Sequence, residues 1–258
     1  MELADTHCHL NHPAFDADGA AVLSRAQAVG VSRLLCIGYD LASSRRAAAL
    51  AAAEPPLYAA VGVHPEAAGE WGTEAADALR ALSQASGKVA AYGEIGLDYH
   101  WETIPRDRQR AVFREQIAFA GTLSPTLPLI IHCRDAQEDV LAVLQDSGTA
   151  APVVMHCFTG DPQAARAILD AGHFLGIGGV VTFKKSDALR AAVAAMPLDR
   201  ILLETDCPYL APQPWRGKRN EPSYLPAVAR AVAAAKNLPV ETVAAVTTAT
   251  ARTLFGMT

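Results

Sequence analysis

No apolar run in this sequence approaches the roughly 18 residues that would suggest a membrane span. The start, Met1-Glu2-Leu3-Ala4-Asp5-Thr6-His7, has neither a basic segment nor an apolar one, so no signal peptide is predicted and a cytoplasmic location is expected. Basic charge is not in excess. Lys and Arg number 22 against 27 Asp and Glu, and the net charge of −5 argues against a broadly positive, nucleic-acid-coating surface. A polyanionic substrate would have to be met by a local basic patch or by bound cations. Cysteines are few: the five are odd in number and lack the spacing of a disulfide framework, so reduced thiols are expected. No Ser/Gly/Pro-rich linker and no long charge block interrupts the 258 residues. No glycine-rich phosphate loop follows the first strand-like run, which removes the main signal for a doubly wound nucleotide-binding sheet.

What is present is enough apolar sequence, 51%, to bury a full core, at a length that suits one large α/β domain spanning residues 1–258. Short β-branched or apolar runs alternate with helical patterns, the signature of a parallel sheet with crossover helices. Candidate strands lie near Leu3–Asp5, Arg33–Ile37, Leu57–Val63, Val89–Tyr92, Leu129–Ile131, Val153–Met155, Phe174–Ile177 and Ile201–Leu203. Eight is the number of a (β/α)8 TIM-like barrel. Helices are predicted over Asp18–Val29, Ser43–Ala53, Thr73–Ala85, Arg106–Gly121, Ala136–Ser147, Pro162–Ala171, Ser186–Ala195 and Tyr224–Lys236, with an extra C-terminal helix from about Pro239 to Phe255. The Ala-rich stretches fall inside them, where the best helix former belongs.

Polar residues mark the ends of these runs. The first ends in His7-Cys8-His9, the third in His64, the fourth in Glu94, the fifth in His132, the sixth in His156 and the eighth in Glu204-Thr205-Asp206. In a (β/α)8 barrel the C-terminal strand ends carry the active site, so these residues are expected on one face. His7 and His9 are two apart on an extended segment, and period-2 alternation points both imidazoles to one side. A lone His-x-His is commonly a chance pair. Four more ligand-type residues at strand ends make chance hard to sustain, because buried imidazoles and carboxylates must be paired or coordinated. Cys8, Cys133, Cys157 and Cys207 each follow a proposed ligand, so alternation turns them toward the helices as small core residues rather than zinc ligands.

Four imidazoles and two carboxylates exceed the ligands of one closed zinc site, and two divalent ions sharing Glu94 fit better. Zinc or manganese suits imidazole-rich ligation; magnesium prefers oxygen. Such an ion lowers the pKa of its water toward about 7 and polarises a phosphoryl or carbonyl oxygen. Asp206 would both ligate and orient that water, while Glu204, two residues earlier, is either a support for a ligand or a paired core carboxylate. His64 either contacts a substrate oxygen, as a proton donor, or is a structural histidine at a strand end. Arg134, Lys184, Arg216, Lys218 and Arg219 lie in loops on the same face, where together they would neutralise phosphates. Tyr99, Trp101, Tyr209 and Trp215 fall in those loops too, open to base stacking or to core packing.

These residues stand in motifs. Asp5-Thr6-His7-Cys8-His9-Leu10, Gly62-Val63-His64-Pro65, Gly93-Glu94-Ile95-Gly96-Leu97-Asp98-Tyr99, Ile131-His132-Cys133-Arg134-Asp135-Ala136, Met155-His156-Cys157-Phe158-Thr159-Gly160, Leu203-Glu204-Thr205-Asp206-Cys207-Pro208-Tyr209-Leu210 and Arg216-Gly217-Lys218-Arg219-Asn220-Glu221-Pro222 occur in order along nearly the whole chain. With them the chain resembles the TatD-type metal-dependent deoxyribonucleases, among the amidohydrolase-like TIM barrels. The resemblance implies 3′→5′ phosphodiester hydrolysis on single-stranded DNA, in repair or degradation. It implies His7, His9, Glu94 and Asp206 as one ion's ligands and Glu94, His132 and His156 as the second's, with His64 contacting phosphate. Two positions depart from the family pattern: Thr250 stands where an asparagine is usual, and Gly176-Ile177-Gly178-Gly179 where serines are frequent.

The competing reading is a barrel hydrolase of a small amide, ester or lactone, which shares the water chemistry. Binuclear enzymes of that type commonly bridge their ions with a modified lysine at the fourth or fifth strand. Neither strand end here has a lysine.

Overall fold

The computed structural model describes residues 1–101 and 103–258. In chain order the elements are β1 (Leu3–Cys8), α1 (Gly19–Ala28), β2 (Val31–Ile37), α2 (Leu41–Ala53), β3 (Leu57–Val61), α3 (Thr73–Ala85), β4 (Val89–Asp98), α4 (Arg106–Ala120), β5 (Leu129–Arg134), α5 (Gln137–Ser147), β6 (Val153–Met155), α6 (Pro162–Asp170), β7 (Phe174–Ile177), α7 (Asp187–Ala195), β8 (Ile201–Leu203), α8 (Leu225–Lys236) and α9 (Val240–Phe255). The strands form one eight-stranded sheet in the order β1 to β8. Every strand is followed by a helix, and α9 is the additional one. This is the (β/α)8 barrel expected from the alternation.

By internal contacts the chain divides into two compact units, Met1–Cys36 with Cys157–Thr258, and Ile37–His156. In the first, β1 pairs with β2 and β7 with β8, all parallel. The ends of β1 and β8 are laced together: Thr6 Oγ1 donates to Leu203 O at 3.1 Å, Asp206 N to His7 O at 2.8 Å, and His9 N to Cys207 O at 2.8 Å. Its core includes Leu3, Leu34, Leu35, Leu202, Val228 and Val232, all fully buried. Each such side chain contributes about 1.5–3 kcal/mol of burial free energy.

In the second unit β3, β4, β5 and β6 pair in parallel. All ten residues of β4 are buried, as expected of a strand covered on both faces. Tyr92, Ile95, Leu97, Phe113, Leu129 and Ile130 form the core. The start of α2 is set by a capping box: Ser43 N donates to Asp40 Oδ1 at 2.6 Å, and Asp40 N to Ser43 Oγ at 2.9 Å. The Ala-rich run beyond it propagates the helix.

Strand β4 continues six residues past the expected Tyr92. The ladder resumes after a register shift, with Ile95, Gly96, Leu97 and Asp98 opposite Ile131, His132, Cys133 and Arg134. Gly96 has φ +140°, and a Cβ there would lie 2.0 Å from His132 O. The glycine therefore permits close strand approach in a backbone conformation L side chains rarely adopt. Among the described residues, no helix is long and apolar enough to cross a membrane.

Candidate metal centre

At the end of β1, alternation places His7 and His9 on one side, as the spacing predicts, with Cys8 opposite and its Sγ donating to Leu35 O at 3.4 Å. The two Nε2 atoms lie 3.2 Å apart, and the rings meet edge to face with centroids at 4.9 Å. Asp206 Oδ1 is 3.7 Å from His7 Nε2 and 3.4 Å from His9 Nε2. All three residues are buried. Two imidazole nitrogens and a carboxylate oxygen thus converge away from bulk water, a donor set that fits a divalent ion of borderline softness.

The backbone that presents Asp206 is unusual. Its φ is +56°, and Cys157 at the end of the β6 segment has φ +48°. Strand alternation has lapsed at both places, so it does not explain where Cys157 and Cys207 point; the argument holds for Cys8. All five cysteines are free thiols, and among the described residues none joins a metal-ligating group.

Asp5 and Asn220 hold the Asp206 turn. Asp5, fully buried, accepts from Thr205 N at 2.9 Å and Thr205 Oγ1 at 2.6 Å. Burial pushes its carboxyl up to about 7, against the hydrogen bonds from Thr205 and His7, which lower it. Asn220, also fully buried, donates to Thr205 O and Tyr209 O, both at 2.7 Å, and accepts from Glu221 N at 2.9 Å. Glu221 is held by a two-point ion pair with Arg25 at 2.7 and 2.9 Å. Glu204 Oε1 accepts from Cys157 N at 2.6 Å, which fixes the residue following His156.

In the second unit Glu94, His132 and His156 form a tight group. Glu94 Oε1 is 2.7 Å from His156 Nε2 and 2.9 Å from His132 Nδ1, and those two nitrogens are 3.2 Å apart. His64 and Asp98 adjoin it. His64 Nδ1 accepts from Glu66 N at 3.2 Å, capping the short 3-10 turn Pro65–Glu70, so the ring's proton sits on Nε2, 3.8 Å from Glu94 Oε1. Burial, with the nearby charge of His132, lowers the His64 pKa to about 3, so at neutral pH this ring is a neutral N–H donor. Burial also opposes charge on His132, but hydrogen bonds and attraction from Asp98 and Glu94 prevail and raise it to about 9. Asp98 shows the converse: burial raises its pKa, yet the hydrogen bonds from His132 and from the Trp101 and His100 amides carry it down to about 2.

The basic residues expected to meet phosphate divide by their contacts. Arg134, Lys184, Arg216 and Lys218 are exposed. Arg134 lies over the ring of Trp101 at 5.6 Å and Arg216 over Phe183 at 4.5 Å. Arg219 differs: it bonds both Asp18 oxygens, at 2.9 and 2.7 Å, and the Ala14 carbonyl, at 2.6 Å, so its guanidinium ties a loop to the chain before α1. Trp215 stacks on Tyr224 with centroids at 4.1 Å, and Tyr99 donates to Asp139, both packing roles. Trp101 and Tyr209 remain about half exposed, Tyr209 beside the rings of His9 and His12.

Asp5, Asp98 and Asn220 were not among the expected site residues. Asp98 had a signal: it is four residues after Glu94, on the same face of a strand. Asn220 had none, since its partners are 11 and 15 residues away. The glycine-rich end of β7 also has a reason. A Cβ on Gly179 would meet Leu210 O at 2.1 Å, so a serine does not fit there. Thr250 Oγ1 lies 3.5 Å from Asp199 O, remote from the ligand groups.

Comparison with known proteins places this site in a family. A family model described as TatD related DNase matches residues 4–256. The chain is 44% identical over 254 residues to the uncharacterized metal-dependent hydrolase YabD of Bacillus subtilis, covering 98% of each. It is 36% identical to the 3′-5′ ssDNA/RNA exonuclease TatD of Klebsiella pneumoniae, covering 98% of this chain and 97% of that one. The crystal structure of YJJV, a TatD homolog from Escherichia coli, superposes with a TM-score of 0.92 at 31% identity over 98% of both chains. The imidazole–carboxylate groups at the strand ends, the barrel and these relatives agree: the chain is a metal-dependent hydrolase belonging to the TatD-related DNase family.

Proposed function

We propose that the protein is a 3′→5′ exonuclease acting on single-stranded DNA, with two divalent ions, zinc, manganese or magnesium, at one centre. His7, His9, Glu94 and Asp206 hold one ion and Glu94, His132 and His156 the other. The observation that carries this reading is that each unit gathers buried imidazoles and carboxylates at C-terminal strand ends, His7, His9 and Asp206 in one and Glu94, His132 and His156 in the other, the strand ends that form active sites in this fold. What the ions supply is Lewis acidity, an activated water and neutralisation of phosphate charge.

The chain's own groups do the rest. Asp206 orients the attacking water and accepts its proton on a carboxylate oxygen. Water adds to phosphorus as the P–O3′ bond breaks; the departing oxygen takes a proton from solvent, balanced by the one Asp206 then releases, and becomes the 3′-hydroxyl of the shortened strand. His64, neutral and protonated on Nε2, donates a hydrogen bond to a phosphate oxygen; with its depressed pKa it does not act as a cation. Exposed Arg134, Lys184, Arg216 and Lys218 receive the strand's remaining phosphates, as a chain of net charge −5 requires locally. The name of the Klebsiella relative supports the nucleic-acid substrate.

The test is incubation of ion-loaded protein with end-labelled single-stranded DNA. Mononucleotides are expected with Mg²⁺, Mn²⁺ or Zn²⁺. No release with any of them, alongside turnover of a lactone or dipeptide panel, would overturn the reading in favour of a small-molecule hydrolase.

A further inference from the structure

Asp98 ends β4 with only 1% of its surface exposed, and every polar atom it has is engaged. Oδ1 accepts the amides of His100 at 2.9 Å and Trp101 at 3.2 Å. Its own peptide groups are clamped by the buried Gln109: Asp98 N donates to Gln109 Oε1 at 2.8 Å, and Gln109 Nε2 donates to Asp98 O at 2.8 Å and to Ile104 O at 3.0 Å. The carboxylate plane is thereby set. The second oxygen, Oδ2, points at His132 Nε2 from 2.9 Å.

An ionised carboxylate only accepts hydrogen bonds, so a ring nitrogen 2.9 Å from one carries the proton. Glu94 Oε1 stands at the same 2.9 Å from Nδ1, so without an ion both ring nitrogens face a carboxylate; with an ion taken up beside Glu94 and His156, the one N–H of the neutral ring is on Nε2, where the fixed Asp98 carboxylate holds it. The lone pair is then on Nδ1, the atom that faces Glu94 Oε1 at 2.9 Å and His156 Nε2 at 3.2 Å. We propose that Asp98 is a positioning residue: through its rigid hydrogen bond it selects the His132 tautomer whose Nδ1 binds the ion shared with Glu94 and His156. The proposal rests on the functional reading only in placing an ion on that side of the ring. Outer carboxylates of this kind orient histidine ligands, and their loss typically weakens ion affinity about 10- to 100-fold.

Asp98→Asn separates positioning from folding, because the amide is nearly isosteric with the carboxylate. Its oxygen can still accept from His100 and Trp101, so the turn is kept. The amide nitrogen then faces His132 Nε2 and donates to it, which moves the ring proton to Nδ1 and blocks the ligand atom. The expected result in zinc titrations is affinity at one of two sites weakened about 10- to 100-fold, with the EDTA-treated variant still giving a cooperative urea transition. Asp98→Ala, which removes the partner without inverting it, should weaken that site less than Asp98→Asn.

A measurement on the unmutated protein guards against variants that do not fold. In long-range ¹H–¹⁵N spectra of the zinc-loaded protein, His132 should show a slowly exchanging proton on Nε2 and none on Nδ1. A proton on Nδ1, or unchanged zinc affinity in a folded Asp98→Asn variant, would overturn the proposal. The functional reading fails separately: wild-type protein that binds zinc through His132 Nδ1 but leaves DNA intact would refute the nuclease and leave the role of Asp98 standing.

Discussion

Replacing Asn220 by alanine should damage the protein out of proportion to its size. The fully buried side chain donates to Thr205 O and Tyr209 O and accepts from Glu221 N, all at 2.7–2.9 Å, the Tyr209 bond being partly buried and the other two buried. Each net hydrogen bond is worth about 1 kcal/mol, and the stranded buried groups add to the loss, so roughly 3 kcal/mol is expected. For a chain of this size each kcal/mol shifts the melting temperature by about 2–4 °C, giving a fall of roughly 6–12 °C. Because Thr205 O is anchored next to Asp206, the ion proposed at His7, His9 and Asp206 should also bind more weakly. Asn220→Asp should be at least as severe, since it turns a carboxylate oxygen onto two carbonyl oxygens. Circular-dichroism melts with and without EDTA, together with bound-zinc analysis, provide the assay. A shift below about 2 °C with full ion content would refute the idea that Asn220 holds the Asp206 turn.

The other predictions follow from the same geometry. Gly96→Ala puts a Cβ 2.0 Å from His132 O at φ +140°, so soluble yield and melting temperature should fall sharply and His132 should no longer ligate; near-wild-type melting would contradict the close approach of β4 and β5. Arg219→Ala should lower the melting temperature and leave KM for DNA almost unchanged, because the guanidinium is committed to Asp18, whereas Arg216→Ala with Lys218→Ala should raise KM and leave melting alone. In EDTA, stability should decline as pH rises. His132 is raised from 6.5 to about 9 in the folded state, so its contribution is complete below 6.5 and lost through 9; at lower pH Asp5, raised from 3.8 to about 7, works in the same direction while His64, lowered from 6.5 to about 3, opposes it, so the decline is expected above about pH 7. Saturating zinc should flatten the stretch between 7 and 9, as the ion displaces the proton, and urea midpoints across pH 6–9 measure this.

The architecture and the polar residues at the strand ends were legible because both rest on local, periodic signals. Alternation of strand and helix patterns, and polar residues placed at run ends, are properties of neighbouring residues. His7 and His9 could be paired from their two-residue spacing alone. What escaped was set by long-range or left-handed backbone. Strand β4 runs six residues beyond the expected Tyr92, through Gly93 and Gly96, and only the opposing His132 backbone explains Gly96. Alternation could not follow Cys157 and Asp206 into positive φ. The commitment of Arg219 to Asp18, 201 residues away, leaves no trace in spacing, and nor does the buried clamp of Asn220.

The six imidazole and carboxylate residues are proposed to assemble one two-ion centre. Anomalous scattering from crystals of untreated protein tests it most directly. The account predicts two peaks, one within ligating distance of His7, His9 and Asp206, one of His132 and His156, and both of Glu94. A single peak, or ions bound away from these residues, would contradict it.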